Sequence, residues 1–514
     1  MKKKKKREGV GIGKPRRVVR HARRILFVRG VVIVLIALQF LLWFLLFASG
    51  AAAFRQLNVV FNVLAFGFSL YTVSSSDASA YKLLWIFFLL LLPIPGTVSF
   101  FLLKIQGVGK RFYRKKKKCD AELPPQSPAD KTEISSLPCP NAFRRLVNAC
   151  FSVRRSQITY FPLGEDKLMS LFRDLETAEH YIYLEYFIVA QGEILDSLHA
   201  ILKKKAESGV DVRLLFDDVG SFLIEPRRFT ANLRKDGIKC AVFNAFSPYI
   251  TAAQNYRDHR KIAVIDGRIA YTGGINIGDE YANLYQKYGH WKDTAVRMTG
   301  EAALDATALF LSMWEFTTGE KTPLPVPPAY GGDAENGHIC LYADEPAGDP
   351  VIKELYLSLI TSAMRTLYLS TPYLIPDDAL FDALMMASRS GVDVRIITPA
   401  IADKKLVNVA TKSYYRPLLR AGVRIYEYTP GFIHSKVILA DGCVASVGSA
   451  NLDFRSLYLS FETGALLTGA AIDDIASDFE RLFTVSKEIT EADTHLPLPR
   501  RLVSAVMRLF APLF

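Results

Sequence analysis

The chain has 514 residues, half of them hydrophobic, and a formal net charge of +13. The positive charge is confined to two blocks: residues 1–24 carry +11 and residues 104–118 carry +8, whereas residues 119–514 carry −8. Because nucleic acid binding depends on a cationic surface, this distribution argues against a nucleic acid partner for the larger part of the chain. The two basic blocks flank an apolar region and suit anionic lipid headgroups.

Three apolar runs separate the two basic blocks, at residues 25–54, 57–73 and 83–103. Since about 20 apolar residues are enough for a helix to cross a bilayer, residues 25–103 are predicted to form two to three transmembrane helices of a multi-pass membrane protein. The middle run contains Asn58 and Asn62 and is also compatible with a re-entrant or interfacial segment. Pro93 and Pro95 predict a kink or a break in the third run.

Composition divides the chain into seven segments, because proline-rich stretches separate the apolar region and two globular halves. The predicted segments are a basic tail (1–24), a membrane segment (25–103), a basic and then Pro/Ser-rich linker (104–140), a first repeat (141–322), a Pro/Gly linker (323–337), a second repeat (338–495) and an amphipathic tail (496–514). The apolar side of the tail could dock on a membrane interface or pack on the globular part.

A short motif occurs twice in the globular part, 175 positions apart and with identical spacing. Each copy has His-x-Lys, four residues, Asp, six residues and then Gly-[Gly/Ser]-x-Asn. The copies comprise His259, Lys261, Asp266, Gly273, Gly274 and Asn276, and His434, Lys436, Asp441, Gly448, Ser449 and Asn451. A lone His-x-Lys would mean little, but the complete spacing repeated in one chain indicates a duplicated functional unit.

Each copy of the motif predicts a β-hairpin. Apolar strands flank Asp266-Gly267 and Asp441-Gly442, and Asp-Gly between two strands favours a tight turn. Because side chains alternate along a strand, the His and Lys of each copy share one face, whereas Asp266 and Asp441 fall out of this phase. We interpret the two aspartates as holding the hairpins rather than reacting. Apolar strands alternate with helical patterns in both halves, which predicts an α/β fold with a mixed sheet in each half.

On its reacting face each copy offers an imidazole, an ammonium and a side-chain amide, a set that suits a phosphate group. Asn276, Asn451 and Ser449 are therefore predicted to contact a substrate phosphate. The alternative for the two asparagines is a structural role in a turn. The cysteines form no C-x-x-C pair and no zinc pattern, and neither a metal nor a cofactor is predicted.

A reacting imidazole needs a partner on its other ring nitrogen to fix its tautomer. Two carboxylates are candidates for this role. The resemblance of this chain to a known family implies that Asp293 orients His259 and that Glu462 orients His434, so that each pair lies within one repeat. The alternative for both carboxylates is a surface ion pair.

The duplicated motif resembles the signature of the phospholipase D superfamily, and the segments around it look like the bacterial cardiolipin synthases within that superfamily. The similar segments are Phe432 to Lys436, Gly448 to Ser456, Gly274 to Tyr281 and Thr371 to Pro376. The resemblance runs from Leu83 to the C-terminus. It implies two tandem phospholipase D-type repeats that pack about a pseudo-twofold axis around one cleft, preceded by the transmembrane helices.

The resemblance also implies an activity, that of a phosphatidyltransferase of the bacterial plasma membrane that converts two phosphatidylglycerols into cardiolipin and glycerol. His259 would form a phosphatidyl-histidine intermediate, and His434 would act as general acid and then as general base. The complete catalytic set that it implies is His259, Lys261, Asp266, His434, Lys436 and Asp441. Phosphatidylglycerol and membrane lipids are the expected partners, and no metal is needed because the lysines supply positive charge.

Two other functions fit the same residues. A phospholipase D, or a phosphatidyltransferase that uses phosphatidylethanolamine or water as acceptor, would share the catalytic groups and differ only in the second substrate. An inactive lipid-binding scaffold would be expected to have lost a motif His or Lys, and none is missing. The sequence leaves open the acceptor, the acyl-chain preference, the number of membrane crossings and the oligomeric state.

Overall fold

The structure is a computed structural model, which describes residues 37, 41, 44–45, 48, 52–105, 108–120, 131–149, 151–221, 226–245, 252–326, 334–346, 348–495 and 497–513. The basic tail and most of the first apolar run lie outside the described residues. The amino-terminal region is helical throughout its described part. Its helices are α1 (Ala52–Ser74), α2 (Ser79–Leu91), α3 (Pro93–Phe100), α4 (Val108–Asp120), α5 (Lys131–Ser136) and α6 (Pro140–Ala149), with a π-helical turn at Phe101–Ile105.

Within its described residues, the first globular half contains ten strands and four α-helices. The strands are β1 (Arg154–Ser156), β2 (Ile158–Phe161), β3 (Tyr181–Tyr186), β4 (Asp211–Asp217), β5 (Lys239–Phe243), β6 (Arg257–Asp258), β7 (Lys261–Ile265), β8 (Ile269–Gly273), β9 (His290–Lys292) and β10 (Ala295–Thr299). The helices are α7 (Gly164–Glu176), α8 (Glu193–Glu207), α9 (Pro226–Lys235) and α10 (Glu301–Thr318).

The part of the second half that the structure describes has nine strands and seven α-helices. The strands are β11 (Gly337–Asp344), β12 (Thr366–Ser370), β13 (Asp393–Pro399), β14 (Arg424–Tyr428), β15 (Gly431–Ile433), β16 (Val437–Ala440), β17 (Val444–Gly448), β18 (Ser460–Leu467) and β19 (Ser486–Ile489). The helices are α11 (Val351–Ser362), α12 (Asp378–Arg389), α13 (Lys405–Ser413), α14 (Tyr415–Arg420), α15 (Phe454–Tyr458), α16 (Ala471–Thr484) and α17 (Leu498–Leu509).

The two halves repeat one strand order. The first sheet runs β2-β10-β8-β7-β3-β4-β5, and the second runs β11-β18-β17-β16-β12-β13-β14, with β1 and β19 added at its two edges. In each sheet the hairpin of the motif lies at the centre, antiparallel to a strand that begins a parallel set. The predicted mixed α/β architecture is confirmed, and the matched strand order is what two tandem repeats would produce.

The halves meet in a shared apolar core. A single cluster of buried side chains takes Tyr183, Val264 and Phe310 from the first half together with Leu439 and Phe461 from the second. Each half also has its own cluster on the other face of its sheet, beneath its outer helices. The two sheets are therefore covered on both faces, as buried mixed sheets require, and the positions of the two motifs relative to each other are set by packing.

The prediction of two to three transmembrane helices is only partly supported. Among the described residues one helix, Arg55–Ser74 within α1, is long and apolar enough to cross a membrane. The third apolar run is not a single span, because the chain leaves the helical conformation at Leu92 and a new helix begins at Pro93. The 13 residues of α2 rise about 20 Å, which is less than the roughly 30 Å of a bilayer's hydrocarbon core.

Helix α2 instead docks against the second half. The hydroxyl of Ser79 donates a hydrogen bond to Asp378, and the ring of Tyr81 packs edge-on against Phe454 and Tyr458 at centroid distances of 5.8 and 6.1 Å. The break predicted at the proline pair is confirmed, and after it α3 packs against both α1 and α2.

The second basic block has a role that the sequence did not suggest. Lys116 on α4 is inserted between the halves, with its side chain 1% exposed and its ammonium bonded to Asp120, Ser312 (2.8 Å) and Glu345 (3.3 Å). Lys115 donates to the carbonyl of Phe316 at 2.8 Å. The interpretation of this block as a lipid-headgroup site is therefore wrong for Lys116, which is an internal charge partner.

The carboxy-terminal tail is expected either to pack on the globular part or to present an apolar side to a membrane interface, and its helix has features of both. Ser504 on α17 is buried, Met507 packs against the core of the second half, and the guanidinium of Arg508 lies 4.6 Å from the centroid of the Tyr414 ring. Its other side exposes Leu502 and Val506, together with Leu498 and Val503. One face therefore packs on the globular part, and an apolar stripe remains on the surface.

Replacing Lys116 by Met should destabilise the fold. The change leaves Asp120 and Glu345 beside each other without their cation, and breaking a buried ion pair typically costs about 3–5 kcal/mol. Lys118 on the same helix is exposed, so Lys118→Met is the matched control. We expect a clear fall in Tm, measured by thermal unfolding in detergent, for Lys116→Met alone. Equal Tm values for the two variants would show that Lys116 is dispensable for folding.

Candidate active site

A cavity of about 690 Å³ lies between the two halves, and both motifs open into it. His259, Asn276, His434 and Asn451 line its wall, so residues far apart in sequence form one site. His259 follows β6 and comes two residues before Lys261, the first residue of β7; His434 follows β15, and Lys436 immediately precedes β16. The spacing His-x-Lys thus places both side chains of each pair at the end of a central strand.

Each catalytic-type histidine is held by a carboxylate from the opposite half. His259 Nδ1 lies 2.9 Å from both carboxylate oxygens of Glu462, and His434 Nδ1 lies 2.6 Å from Oδ2 of Asp293. The predicted pairing within each repeat is therefore wrong, although the two carboxylates themselves are the correct ones. In both pairs Nδ1 is engaged, which leaves Nε2 as the ring nitrogen available to a substrate.

Backbone contacts between the halves produce this crossed arrangement. Strand β6 runs parallel to β18, and β15 runs parallel to β9. As a result, the amide of His259 donates to the carbonyl of Phe461 at 2.9 Å, and the amide of His434 donates to the carbonyl of Lys292 at 2.7 Å. Each histidine is thus hydrogen-bonded to the residue just before its carboxylate partner. Main chain and side chain together fix the direction of both rings.

Burial keeps both imidazoles neutral. Burial lowers the pKa of His259 to about 4, although Glu462 alone would raise it. Burial and the nearby Lys436 lower the pKa of His434 to about 3, although Asp293 alone would raise it. Burial alone would raise the pKa of the Glu462 carboxyl, but its interactions with His259, Lys261 and Ser449 outweigh burial and lower that pKa. A neutral ring whose Nδ1 hydrogen points at a carboxylate has a free lone pair on Nε2, which is the form a nucleophile needs.

The two lysines are buried beside the histidines. Each ammonium donates to the carbonyl of its own motif histidine, Lys261 to His259 and Lys436 to His434. Burial lowers the pKa of Lys261 to about 7 and that of Lys436 to about 8. An anion bound next to them favours the ammonium form, so the pair is suited to a phosphate group.

The two motif asparagines are anchored at the cavity wall. Oδ1 of Asn276 accepts from the amide of Ile188 at 3.0 Å, and its Nδ2 donates to Tyr281 at 2.7 Å. Nδ2 of Asn451 donates to Asp453 at 3.1 Å. Each side-chain NH₂ group carries a second hydrogen, so donation to a phosphate stays a prediction that this geometry allows.

Ser449 is not a phosphate ligand in the structure. Its side chain is fully buried, and its hydroxyl is hydrogen-bonded to Glu462 and to the backbone of Thr463. It is absent from the cavity wall. The prediction that Ser449 contacts the substrate is therefore wrong, and its role is to hold the carboxylate that orients His259.

The motif aspartates hold the hairpins, as their phase predicts. The carboxylate of Asp266 accepts from the amides of residues 179–181 at 2.7–2.8 Å, and that of Asp441 from the amides of residues 364–366 at 2.7–3.0 Å. Both aspartates have φ of 52° and are followed by a glycine with φ of 63°, the left-handed pair of a type I′ turn. Neither aspartate lines the cavity. Within the catalytic set that the family resemblance implies, the two aspartates therefore have a structural role.

Sequence reasoning missed much of the cavity wall, namely Phe187, Arg257, Tyr281, Trp291, Tyr373, Asp403 and Lys404. The positions of Asp403 and Lys404 carried one usable signal. They follow β13 in a parallel part of the second sheet, and ligands bind beyond the carboxyl ends of such strands. The aromatic residues gave no such signal, because the neighbouring sequence of an aromatic residue that lines a cavity is no different from that of an aromatic residue in the core.

Both halves match one known family. A family model described as "Cardiolipin synthase, PLD-like domain" matches residues 171–314 and 356–484, and each range contains one copy of the motif. The chain is 38% identical over 448 residues to a cardiolipin synthase of Geobacillus kaustophilus, which covers 84% of this chain and 89% of that protein. It is 41% identical over 356 residues to a cardiolipin synthase of Geobacillus sp. strain WCH70, with coverage of 68% and 71%.

A solved structure is similar in fold. A phosphatidylserine synthase of Haemophilus influenzae superposes with a TM-score of 0.57 at 15% sequence identity, and the match covers 73% of this chain and 100% of that one. At this identity the likeness concerns the fold alone.

The crossed pairing can be tested by NMR of ¹⁵N-labelled histidine. Glu462→Gln removes the acceptor of His259 and should therefore shift the Nδ1 resonance of His259, leaving His434 nearly unchanged. Asp293→Asn should do the reverse. Resonances are assigned by replacing each histidine in turn. A shift confined to the histidine of the mutated residue's own half would disprove the pairing.

Proposed function

The chain belongs to the cardiolipin synthases of the phospholipase D superfamily, and from this premise we propose a mechanism, a substrate pair and a location for it. The protein is membrane-bound and converts two phosphatidylglycerols into cardiolipin and glycerol through a phosphatidyl-histidine intermediate. The observation that carries this proposal is the pair of carboxylate-held histidines, His259 and His434, at one cavity.

In the first step Nε2 of His259 attacks the phosphorus of the donor lipid. The anionic phosphodiester raises the pKa of His434 as it binds, and His434 takes up a proton from solvent. The bond from phosphorus to the headgroup glycerol oxygen breaks, and the protonated His434 gives its proton to that oxygen. Glu462 stabilises the positive charge that develops on the His259 ring. The geometry treats the two histidines almost alike, and the assignment of the nucleophilic role to His259 rests on the resemblance to the family.

In the second step a hydroxyl of the acceptor phosphatidylglycerol attacks the phosphatidyl-histidine. His434, now neutral, takes the hydroxyl proton while the bond from phosphorus to Nε2 of His259 breaks. One phosphodiester replaces another, so no nucleotide is required. Water competes with the acceptor for the same intermediate, and a buried, aromatic-lined cavity reduces that competition.

Charge stabilisation on the phosphoryl oxygens comes from the chain itself. Lys261 and Lys436 come from opposite halves, and each ammonium is bonded to the carbonyl of its own cavity-lining histidine. Asn276 and Asn451 in the cavity wall add neutral donors. Preorganised donors of this kind are worth most in a site that excludes bulk water. The two lysines therefore take the part that metal ions play in many other phosphoryl-transfer sites.

Location in the bacterial plasma membrane as a multi-pass protein is the remaining part of the proposal. Helix α1 supports it, because its segment Arg55–Ser74 is apolar and few of its residues are buried against the rest of the protein. A second crossing would have to come from the apolar run at 25–54. Membrane attachment brings the cavity to the surface that holds both lipid substrates.

The intermediate can be trapped by a rapid quench into sodium dodecyl sulfate at neutral to alkaline pH, because a phosphorus–nitrogen bond is labile in acid, with phosphatidylglycerol that carries a radiolabelled phosphate. We expect labelled phosphatidyl-histidine at His259, none in His259→Ala, and conversion of phosphatidylglycerol alone into equal amounts of cardiolipin and glycerol by the unmodified protein. Label on His434 and none on His259 would reverse the assigned roles. Release of phosphatidic acid in place of cardiolipin would identify a phospholipase.

The rate should depend on pH through the lysines and the histidines. The lysines are charged only below their pKa values of about 7 and about 8, so kcat/KM should fall as pH rises through this range. The imidazoles are neutral above about 4 and about 3, so the nucleophile should persist in mildly acidic buffer. In Lys436→Arg the cation persists at high pH, and the alkaline fall should weaken. An unchanged alkaline fall in this variant would exclude Lys436 as its source.

A further inference from the structure

The proposed reaction brings two phosphodiesters into one cavity. The donor's phosphate lies between the histidines and lysines, where it reacts. The acceptor lipid carries a second phosphate that does not react, only a short glycerol chain away from its attacking hydroxyl. This phosphate keeps its negative charge throughout, and a site for it within the same cavity requires cations other than Lys261 and Lys436.

Two further cations line the cavity away from the motifs. Lys404 stands at the start of α13, and Arg455 lies on the short helix α15, so both come from the second half. Among the described residues neither has a carboxylate within ion-pair distance. The ammonium of Lys404 lies 5.0 Å from the centroid of the Tyr373 ring, and Arg455 donates one hydrogen bond of 3.3 Å to the carbonyl of Asn255.

The acidic neighbours of these cations are occupied by other donors. Asp403 accepts a 2.6 Å hydrogen bond from the hydroxyl of Tyr373. Asp453 accepts from the amide of Ser456 and from Asn451 at 2.8 and 3.1 Å. Lys404 and Arg455 therefore keep most of their hydrogen-bonding capacity for a ligand.

Arg257, a third cation in the cavity wall, differs from Lys404 and Arg455 because its guanidinium is already bound by groups of the protein. Arg257 lies 3.6 Å from Asp217 and donates to the backbone carbonyls of Gln254 and Asn244 at 3.0 and 3.1 Å. Its guanidinium is buried and bound within the protein, which is a structural role. The distinction singles out the other two cations as ligand groups.

We propose that Lys404 and Arg455 bind the non-reacting phosphodiester of the acceptor phospholipid. This inference rests on the proposed function and adds to it the residues that hold the acceptor's non-reacting phosphate. Val407 and Leu513 line the same cavity beside Lys404 and give acyl chains an apolar path. That path continues along the exposed Leu502 and Val506 of α17, which packs against α13.

The consequence is selection between acceptors. Glycerol and water can also attack the phosphatidyl-histidine, but neither carries a phosphate. A phosphate held at Lys404 and Arg455 keeps the acceptor's hydroxyl near the intermediate, which raises its effective concentration over both competitors. Loss of these cations should shift the partition of the intermediate without changing how it forms.

The test uses the full-length protein in mixed micelles of phosphatidylglycerol with isotopically labelled glycerol in the buffer. Attack by the lipid gives cardiolipin, and attack by labelled glycerol gives labelled phosphatidylglycerol. The ratio of the two products, measured by mass spectrometry, depends only on steps after the shared intermediate. We expect Lys404→Gln and Arg455→Gln each to lower this ratio about tenfold, the scale of one hydrogen bond to a charged group.

Two controls sharpen the result. Lys405→Gln removes an adjacent exposed lysine that does not line the cavity and should leave the ratio unchanged, and Arg455→Lys keeps the charge and should retain most of it. An unchanged ratio of cardiolipin to labelled phosphatidylglycerol in Lys404→Gln and Arg455→Gln would overturn the inference. If both products fell equally, the ratio would also stay unchanged, and the two cations would only attract anionic lipid to the protein. Absence of cardiolipin from the unmodified protein would instead overturn the proposed function.

Discussion

Two short parallel strand contacts between the halves hold the catalytic centre together. Strand β6 lies along β18 and β15 along β9, so each histidine is bound by backbone and by carboxylate to the other half. Neither half contains a complete histidine–carboxylate pair. The site therefore exists only when the halves are docked, and any loosening of their interface releases both imidazoles at once.

The site has as many buried cationic side chains as buried carboxylates, and none of them is well exposed to water. Two lysines and two carboxylates are buried around two neutral histidines, and burial explains the low pKa values of the lysines and of the imidazoles. A bound phosphodiester adds negative charge next to the ammonium groups and favours their charged form. The site is thus completed electrostatically by its substrate, which fits chemistry on an anionic lipid.

The apolar amino-terminal region is integrated with the globular part. Lys116 of the second basic block bonds groups from both halves, Tyr81 of the apolar region packs on α15, and Leu513 near the C-terminus lines the cavity. A lipid that reaches the cavity from a bilayer would therefore meet protein surface built from both ends of the chain. Separating the apolar region from the globular part would remove contacts that the fold uses.

The sequence by itself determined the local features: the duplicated His-x-Lys spacing, the Asp-Gly hairpins, the strand phase that set Asp266 and Asp441 apart, and the helix break at Pro93. These depend on neighbours a few residues apart, where backbone geometry leaves few choices. Tertiary structure alone decided which carboxylate holds which histidine, since those partners are 203 and 141 positions apart. It also placed Lys116 inside the protein, Ser449 behind Glu462, and Lys404 with Arg455 at the cavity, because such contacts arise from packing between separate strands, helices and loops and leave no periodic trace along the chain.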